Sequence, residues 1–184
     1  MVIRSDINLD ELSLDKDLIK LWKQLQQLHY KLRDYTKRKY NRVNPFVENL
    51  FEWKEKGKFF GGKNLTIYDS TTITGNVKIG DNTWIGPFCS IDGTGNLTIG
   101  VYCSISTGVR ILTHDTIKWS LSGGKAPYEY SSVVIGDYYF IGVESVIIRG
   151  VTIGKHCLIG ANSVVTHDIP DYSIAVGGPA QISR

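Results

Sequence analysis

Residues 135–165 read IGDYYFIGVESVIIRGVTIGKHCLIGANSVV, with an aliphatic residue at every sixth position: Ile135, Ile141, Ile147, Ile153, Ile159 and Val165. Worked backwards, the same period runs through Ile67, Ile73, Ile79, Ile85 and Ile91, slips by two residues around Asn96 and Leu97, and resumes at Ile99, Ile105 and Ile111. An amphipathic helix repeats at about 3.6 residues and a strand at about 2, so a period of six means that each hexad turns a corner and presents its aliphatic side chain inward again. The chain therefore coils into a solenoid. An antiparallel sandwich rich in Ile-Gly turns is the competing reading, but sandwich strands do not hold one fixed period for so long.

Four residues after the aliphatic stands a small or branched side chain in most hexads: Thr71, Val77, Thr83, Cys89, Cys103, Val109, Ser145, Val151, Cys157 and Ser163. Glycine directly after the aliphatic (Gly80, Gly86, Gly100, Gly136, Gly142, Gly154, Gly160) suits corner conformations that a Cβ atom would strain. Three hexads make one triangular coil of about 18 residues in hexapeptide solenoids, which gives this chain a little over four coils. The series fails seriously once. Ile117 would continue the count after Ile111, but Gly123 and Glu129 would then point inward, so residues 113–133 (THDTIKWSLSGGKAPYEYSSV) leave the coil as a protruding loop. Long loops in compact domains are usually functional.

Three segments follow: an N-terminal helical segment over 1–60, the repeat domain over 61–170, and a tail over 171–184 that contains GGPA and is expected to fold back over the solenoid. Residues 8–40 carry a heptad seam of Leu14, Leu18, Leu21, Leu25, Leu28, Leu32 and Tyr35, opened by a capping box of Asn8 and Glu11. That seam fits a coiled coil between subunits or an amphipathic helix lying on its own solenoid. Asn44-Pro45 predicts a second short helix running to Lys56 and stopped by Gly57, with Phe46, Leu50, Phe51 and Trp53 covering an open end of the coil.

The formal charge of +3 is uneven, because residues 1–60 hold 13 Lys and Arg against 9 Asp and Glu, while 61–184 hold 8 against 9. The solenoid is thus no nucleic-acid footprint. The basic run Lys31, Arg33, Lys37, Arg38, Lys39 and Arg42 offers a membrane contact, against the plainer reading of a solvated helix face. No apolar run reaches the roughly 18 residues of a membrane span and the N-terminus does not read as a signal peptide, so a cytoplasmic location is expected. Three cysteines in hexad packing positions suggest neither a disulfide framework nor a metal site, and no two histidines have metal-ligand spacing.

Chemistry points to His114, at the root of the loop on an otherwise regular wall. Imidazole titrates near neutral pH and can take a proton from a hydroxyl or amine, as acyl transfer to a weak nucleophile requires. The loop beyond carries Trp119, Lys125, Tyr128, Glu129 and Tyr130, suited to closing over a polar ring-shaped ligand. A plain surface turn at His114-Asp115 is the alternative. His29 is expected to be exposed on its helix, His156 to fill a corner slot open to any polar residue, and His167 to lie where the tail departs.

The hexads IGDNTW and IGPFCS, the segment ILTHDT before the loop, and above all FIGVESVIIRGVTIGKHCLIGANSVVTHDIPDYSIAVGGPA resemble the hexapeptide-repeat acyltransferases. This superfamily includes galactoside and maltose O-acetyltransferases, xenobiotic acetyltransferases and O-acetyltransferases of surface polysaccharide. The resemblance covers residues 65–184. It implies an all-β main domain built as a left-handed parallel β-helix, with the α-helical segment appended, and a homotrimer whose active sites lie between neighbouring subunits. It implies coenzyme A, as acetyl-CoA, for a co-substrate and no metal. Position by position, His114 matches the family's general base. Phe140, Gly142, Ala161, Thr166, His167 and Arg184 fall on the cofactor-binding side, with Phe140 where many members have Trp and His167 where many have Lys. Trp119, Lys125, Tyr128 and Tyr130 are the substrate-side candidates. The galactoside enzymes' substrate-side Asn aligns with Gly86, which argues against a galactoside-like acceptor.

The expected reaction is direct transfer to a sugar or glycan hydroxyl, with backbone N–H groups holding the oxyanion. The cysteines sit at packing positions, which disfavours an acyl-cysteine intermediate. Asp115 is the candidate to orient the imidazole, although a side chain one residue away often points elsewhere. Two alternatives stand beside this: transfer to an amine, on an amino sugar, a nucleotide-linked amino sugar or an antibiotic, and a non-enzymatic scaffold in which His114 is incidental.

Overall fold

The structure, a computed structural model, describes residues 15–50 and 52–183. The chain divides into two compact units, Met1–Leu50 and Phe51–Arg184.

In the second unit the hexads stack as three walls. On the first, Ile67, Ile85, Ile105, Ile141, Ile159 and Ala175 lie in parallel register. The second stacks Ile73, Ile91, Ile111, Ile147 and Val165, and the third Ile79, Ile99, Ile135, Ile153 and Ile169. The result is the solenoid that the period predicts, in the form of the left-handed parallel β-helix of hexapeptide repeats that the resemblance implies. Nearly every one of these side chains is buried on the solenoid axis. Fully burying an isoleucine is worth about 1.5–3 kcal/mol, so this stack, rather than the mostly two-residue strands, holds the coils together.

The tail differs from expectation. Ile169 is bridged to Ile153, and Ile174–Val176 pairs in parallel with Leu158 and Ile159, so the coil continues past Pro170 by another rung before Gln181–Ile182 returns antiparallel. Ala175 stands where the coil before it carries Ile159, so the aliphatic series is not visible there, although Ser173 keeps the small residue of the hexad.

The glycines after the aliphatics also serve a different purpose. The corner residues with left-handed backbone are mostly not glycine: Asn82 (φ 58°), Tyr102 (54°), Tyr138 (59°), Glu144 (56°), His156 (55°), Asn162 (56°) and Tyr172 (60°). Gly100 is required by close approach instead, because a Cβ there would lie 2.3 Å from the carbonyl oxygen of Gly136 in the next coil. At one corner Tyr102, Tyr138, His156 and Tyr172 form a continuous ring stack, with centroids 4.9–5.6 Å apart. His156 is thus sandwiched between two tyrosines rather than filling an indifferent slot.

The predicted second helix is broken into a 3-10 turn at Val47–Asn49 and a short helix at Trp53–Gly57. Trp53 and the residues up to Phe60 belong with the solenoid unit: Trp53 stacks on Tyr68 at 4.4 Å, Lys56 donates to the carbonyls of Asp69 and Thr71, and Phe60 packs against the core. Lys56 thereby satisfies backbone acceptors at the end of the coil.

In the first unit the long helix α1 spans Lys16–Tyr40, and Asp15 caps it by accepting from the N–H groups of Asp17 and Leu18. The expected capping box of Asn8 and Glu11, with Leu14, lies outside the described residues, as does Phe51. Within this unit Phe46 packs on His29 (4.9 Å). His29 is accordingly half-buried, and burial lowers its pKa. Leu18, Leu21, Leu25 and Leu28 of the seam remain 43–50% exposed. Among the described residues no helix is long and apolar enough to cross a membrane.

Candidate active site

His114 and the protruding segment leave from the corner between the second and third walls. Two coil features build that corner. The first is the strand Ser90–Ile99, which carries two residues more than a hexad step and so bulges as Asp92-Gly93-Thr94-Gly95 above the loop root. The second is the loop root itself, where His114–Asp115 pairs antiparallel with Glu129–Tyr130 in a short hairpin around the helix Ile117–Leu121.

Asp92 organises the contact between them. Its Oδ2 accepts from the Thr113 N–H (2.9 Å) and hydroxyl (2.9 Å) and from His114 Nδ1 (2.7 Å). Its Oδ1 accepts from the Thr94 N–H (2.9 Å) and hydroxyl (2.8 Å). Burial alone would raise the Asp92 carboxyl, but hydrogen bonds from Thr94, Thr113 and His114 outweigh it and hold the group well below the usual carboxylate range. Asp92 is therefore ionised although it is only 6% exposed. A carboxylate can only accept, so Nδ1 of His114 carries a proton, and in the neutral imidazole Nε2 is then the acceptor. The Thr94 hydroxyl, 3.0 Å from Nδ1, braces the same edge of the ring, and the Tyr130 ring lies 5.8 Å away. The His114 side chain keeps 36% exposure.

Asp115 does not orient the imidazole. Adjacent residues of a strand point to opposite sides, and Asp115 faces the coil below, where its carboxylate pairs with Arg149. The Arg149 hydrogen bond holds the Asp115 carboxyl below its ordinary pKa. Asp92, Thr94, Thr113 and Arg149 were not identified from sequence. The one visible signal for Asp92 and Thr94 was the two-residue slip near Asn96, which marks the bulge that carries them.

The family model for the bacterial transferase hexapeptide (six repeats) matches residues 132–167. The dTDP-4-amino-4,6-dideoxy-D-glucose acyltransferase of Escherichia coli is 30% identical over 143 residues, covering 69% of this chain and 74% of that protein. The chain belongs to the hexapeptide-repeat acyltransferases. This acyltransferase is also 35% identical to the galactoside O-acetyltransferase of E. coli K12 over 126 residues, 68% of the chain but half of that relative. In fold it is similar to a hexapeptide-repeat acetyltransferase of Vibrio cholerae complexed with acetyl coenzyme A (TM-score 0.65, 23% identity, 92% of this chain and 89% of that one). It is likewise similar to a mutant N-acyltransferase of Bacillus cereus in complex with dTDP and coenzyme A (TM-score 0.54, 26% identity, 71% and 88%). It is an acetyltransferase, and the scaffold alternative falls.

Within one chain of the acyltransferase the expected site residues fall on two different edges. His114, Tyr130, Thr166 and His167 share the corner that follows the second wall, because Ile111, Ile147 and Val165 stack in register. Thr166 and His167 are joined through Oγ1 and Nδ1 at 2.9 Å. Phe140 lies on the first wall between Ser104 and Leu158, and Gly142 and Ala161 turn the corner beyond that wall. Those two backbones touch: a Cβ at Gly142 would sit 2.4 Å from the Ala161 nitrogen. Trp119 and Tyr128 meet edge to face (5.6 Å) within the loop, while Lys125 is exposed and its N–H donates to the Ser122 hydroxyl. Arg184 lies outside the described residues. Burial pushes the Cys89 thiol up and that of Cys103 up to about 11, and all three cysteines are buried, which disfavours an acyl-cysteine intermediate. Among the described residues no cluster suited to a metal ion occurs.

Proposed function

We propose that the enzyme transfers an acetyl group from coenzyme A directly to a sugar or glycan hydroxyl, with His114 as general base. The observation that carries this is the Asp92–His114 pair, which fixes the tautomer so that Nε2 is the accepting nitrogen of the neutral imidazole. Nε2 takes the acceptor proton as the acceptor oxygen forms its bond to the thioester carbonyl carbon. When the carbon–sulfur bond breaks, the imidazolium returns that proton to the leaving sulfur, and Asp92 stabilises the cation in between. Coenzyme A bound to fold relatives supports the donor.

The separation of the His114 corner from the Phe140, Gly142 and Ala161 corner supports a homotrimer. A neighbouring copy brings one subunit's imidazole against the other's cofactor edge, and the exposed wall face at Phe140 and Leu158 supplies an apolar track between them. Trp119, Tyr128 and Tyr130 then contact the acceptor, and Thr166 and His167 the donor. Replacing His114 by Ala should lower acetyl transfer at least about a hundredfold with the assembly intact; near-normal turnover would remove the base assignment. Transfer to an amine is the second reading, favoured by the relative that acylates a nucleotide-linked amino sugar. Acetyl-CoA with a panel of hydroxyl and amino acceptors, read by mass, separates the two.

A further inference from the structure

The hairpin that carries His114 is poorly equipped to hold its own shape. Its strands are two residues each, and its helix Ile117–Leu121 buries no side chain. A two-stranded ribbon of that size is marginal in water. Its ladder also contains a conflict: Asp115 lies directly across from Glu129, and like charges in opposed positions destabilise a pair. Both carboxylates are only about a quarter exposed, so water screens them incompletely.

Arg149 resolves the conflict from outside the hairpin. It leaves the same corner one coil below, after Ile147. Its Nε bonds Asp115, its Nη2 lies 3.1 Å from Glu129 Oε2, and its Nη1 lies 3.5 Å from the Ser131 hydroxyl. One guanidinium therefore grips both strands and the exit of the loop, which a single ammonium on a flexible stem would not span. Lys118 Nζ adds a contact to Glu129 Oε1 at 2.7 Å, but from an exposed position on the hairpin itself. The rung next to Asp115–Glu129 is His114–Tyr130.

We infer that Arg149 is a positioning residue of the transferase: it staples the loop hairpin to the solenoid wall and thereby keeps His114 against Asp92. This rests on His114 being the base. The test compares wild type with Arg149→Met, Arg149→Lys and the triple variant Arg149→Met/Asp115→Asn/Glu129→Gln, in the full chain. Arg149→Met should lower kcat at least tenfold with KM for acetyl-CoA little changed, and trypsin should cut at Lys118 or Lys125 faster while the solenoid melts at nearly its usual temperature. Arg149→Lys should recover only part of the loss. The triple variant, which removes the repulsion along with the cation but leaves the hairpin unclasped, should recover only a small part of kcat and stay about as readily cut as Arg149→Met.

Normal kcat in Arg149→Met, or a triple variant as fast and as protease-resistant as wild type, would overturn the staple, the latter by showing that Arg149 only neutralises Asp115 and Glu129. Proteolysis reads the hairpin independently of chemistry. If His114→Ala remains active while cleavage still follows this pattern, the base assignment has failed and not the clasp.

Discussion

Asp92 shows why adjacency in sequence misled and stacking did not. His114 and Asp115 are neighbours, yet alternation along a strand sends one up to Asp92 and the other down to Arg149. Finding Asp92 requires knowing that residue 92 lies one coil above residue 113, which depends on the corner bulge. In Asp92→Asn a single oxygen replaces two, so at least two of the five donors lose an acceptor and an amide N–H₂ faces donors. That should cost about 2 kcal/mol or more and, with the imidazole no longer held in its tautomer, reduce kcat at least about a hundredfold. Its pH dependence has a definite sign. Because the folded carboxyl lies below its unfolded value, near 4, its stabilisation is complete above that pH and is lost as pH falls towards the folded value. Melting temperature should therefore drop more steeply below about pH 4 in wild type than in Asp92→Asn; parallel acid curves would contradict the assignment.

At the scale of elements, the hexad period was legible because each coil repeats one burial decision, an aliphatic on the axis. The ends were not, because what closes a coil is particular: Lys56 on two carbonyls, Trp53 on Tyr68, and a last rung built on Ser173 and Ala175. The hairpin's position was visible as an interruption, but its clasp was not, since Arg149 sits in a hexad that otherwise obeys the pattern. The glycines give a direct check on coil packing. Gly100 has no strained φ to lose, so its whole effect is contact with the Gly136 carbonyl and the Asp137 carboxylate, whose Oδ1 would lie 2.4 Å from a new Cβ. Gly100→Ala should force adjacent coils apart and destabilise the solenoid by about 1–3 kcal/mol in a thermal melt. An unchanged melt would show that the coils can separate at little cost.

For the molecule as a whole, the solenoid is rigid and its corners cannot approach one another. The edge bearing Ala161 and the edge bearing His114 follow different walls, so the proposed reading, in which the donor arm reaches both, places that arm between two chains. This has a consequence that single-site kinetics cannot imitate. Ala161 is exposed and its backbone is unstrained, so Ala161→Trp should fold and block only the cofactor edge. Neither His114→Ala nor Ala161→Trp should be active alone. Co-expressed in equal amounts and assembled at random, a site works only where the tryptophan subunit supplies the histidine and the alanine-114 subunit supplies the open edge. Half times half gives about a quarter of wild-type activity per site in a cyclic assembly. If each chain held a complete site, the mixture would stay as inactive as its parents, and the shared-site trimer would have to be abandoned even with His114 retained as the base.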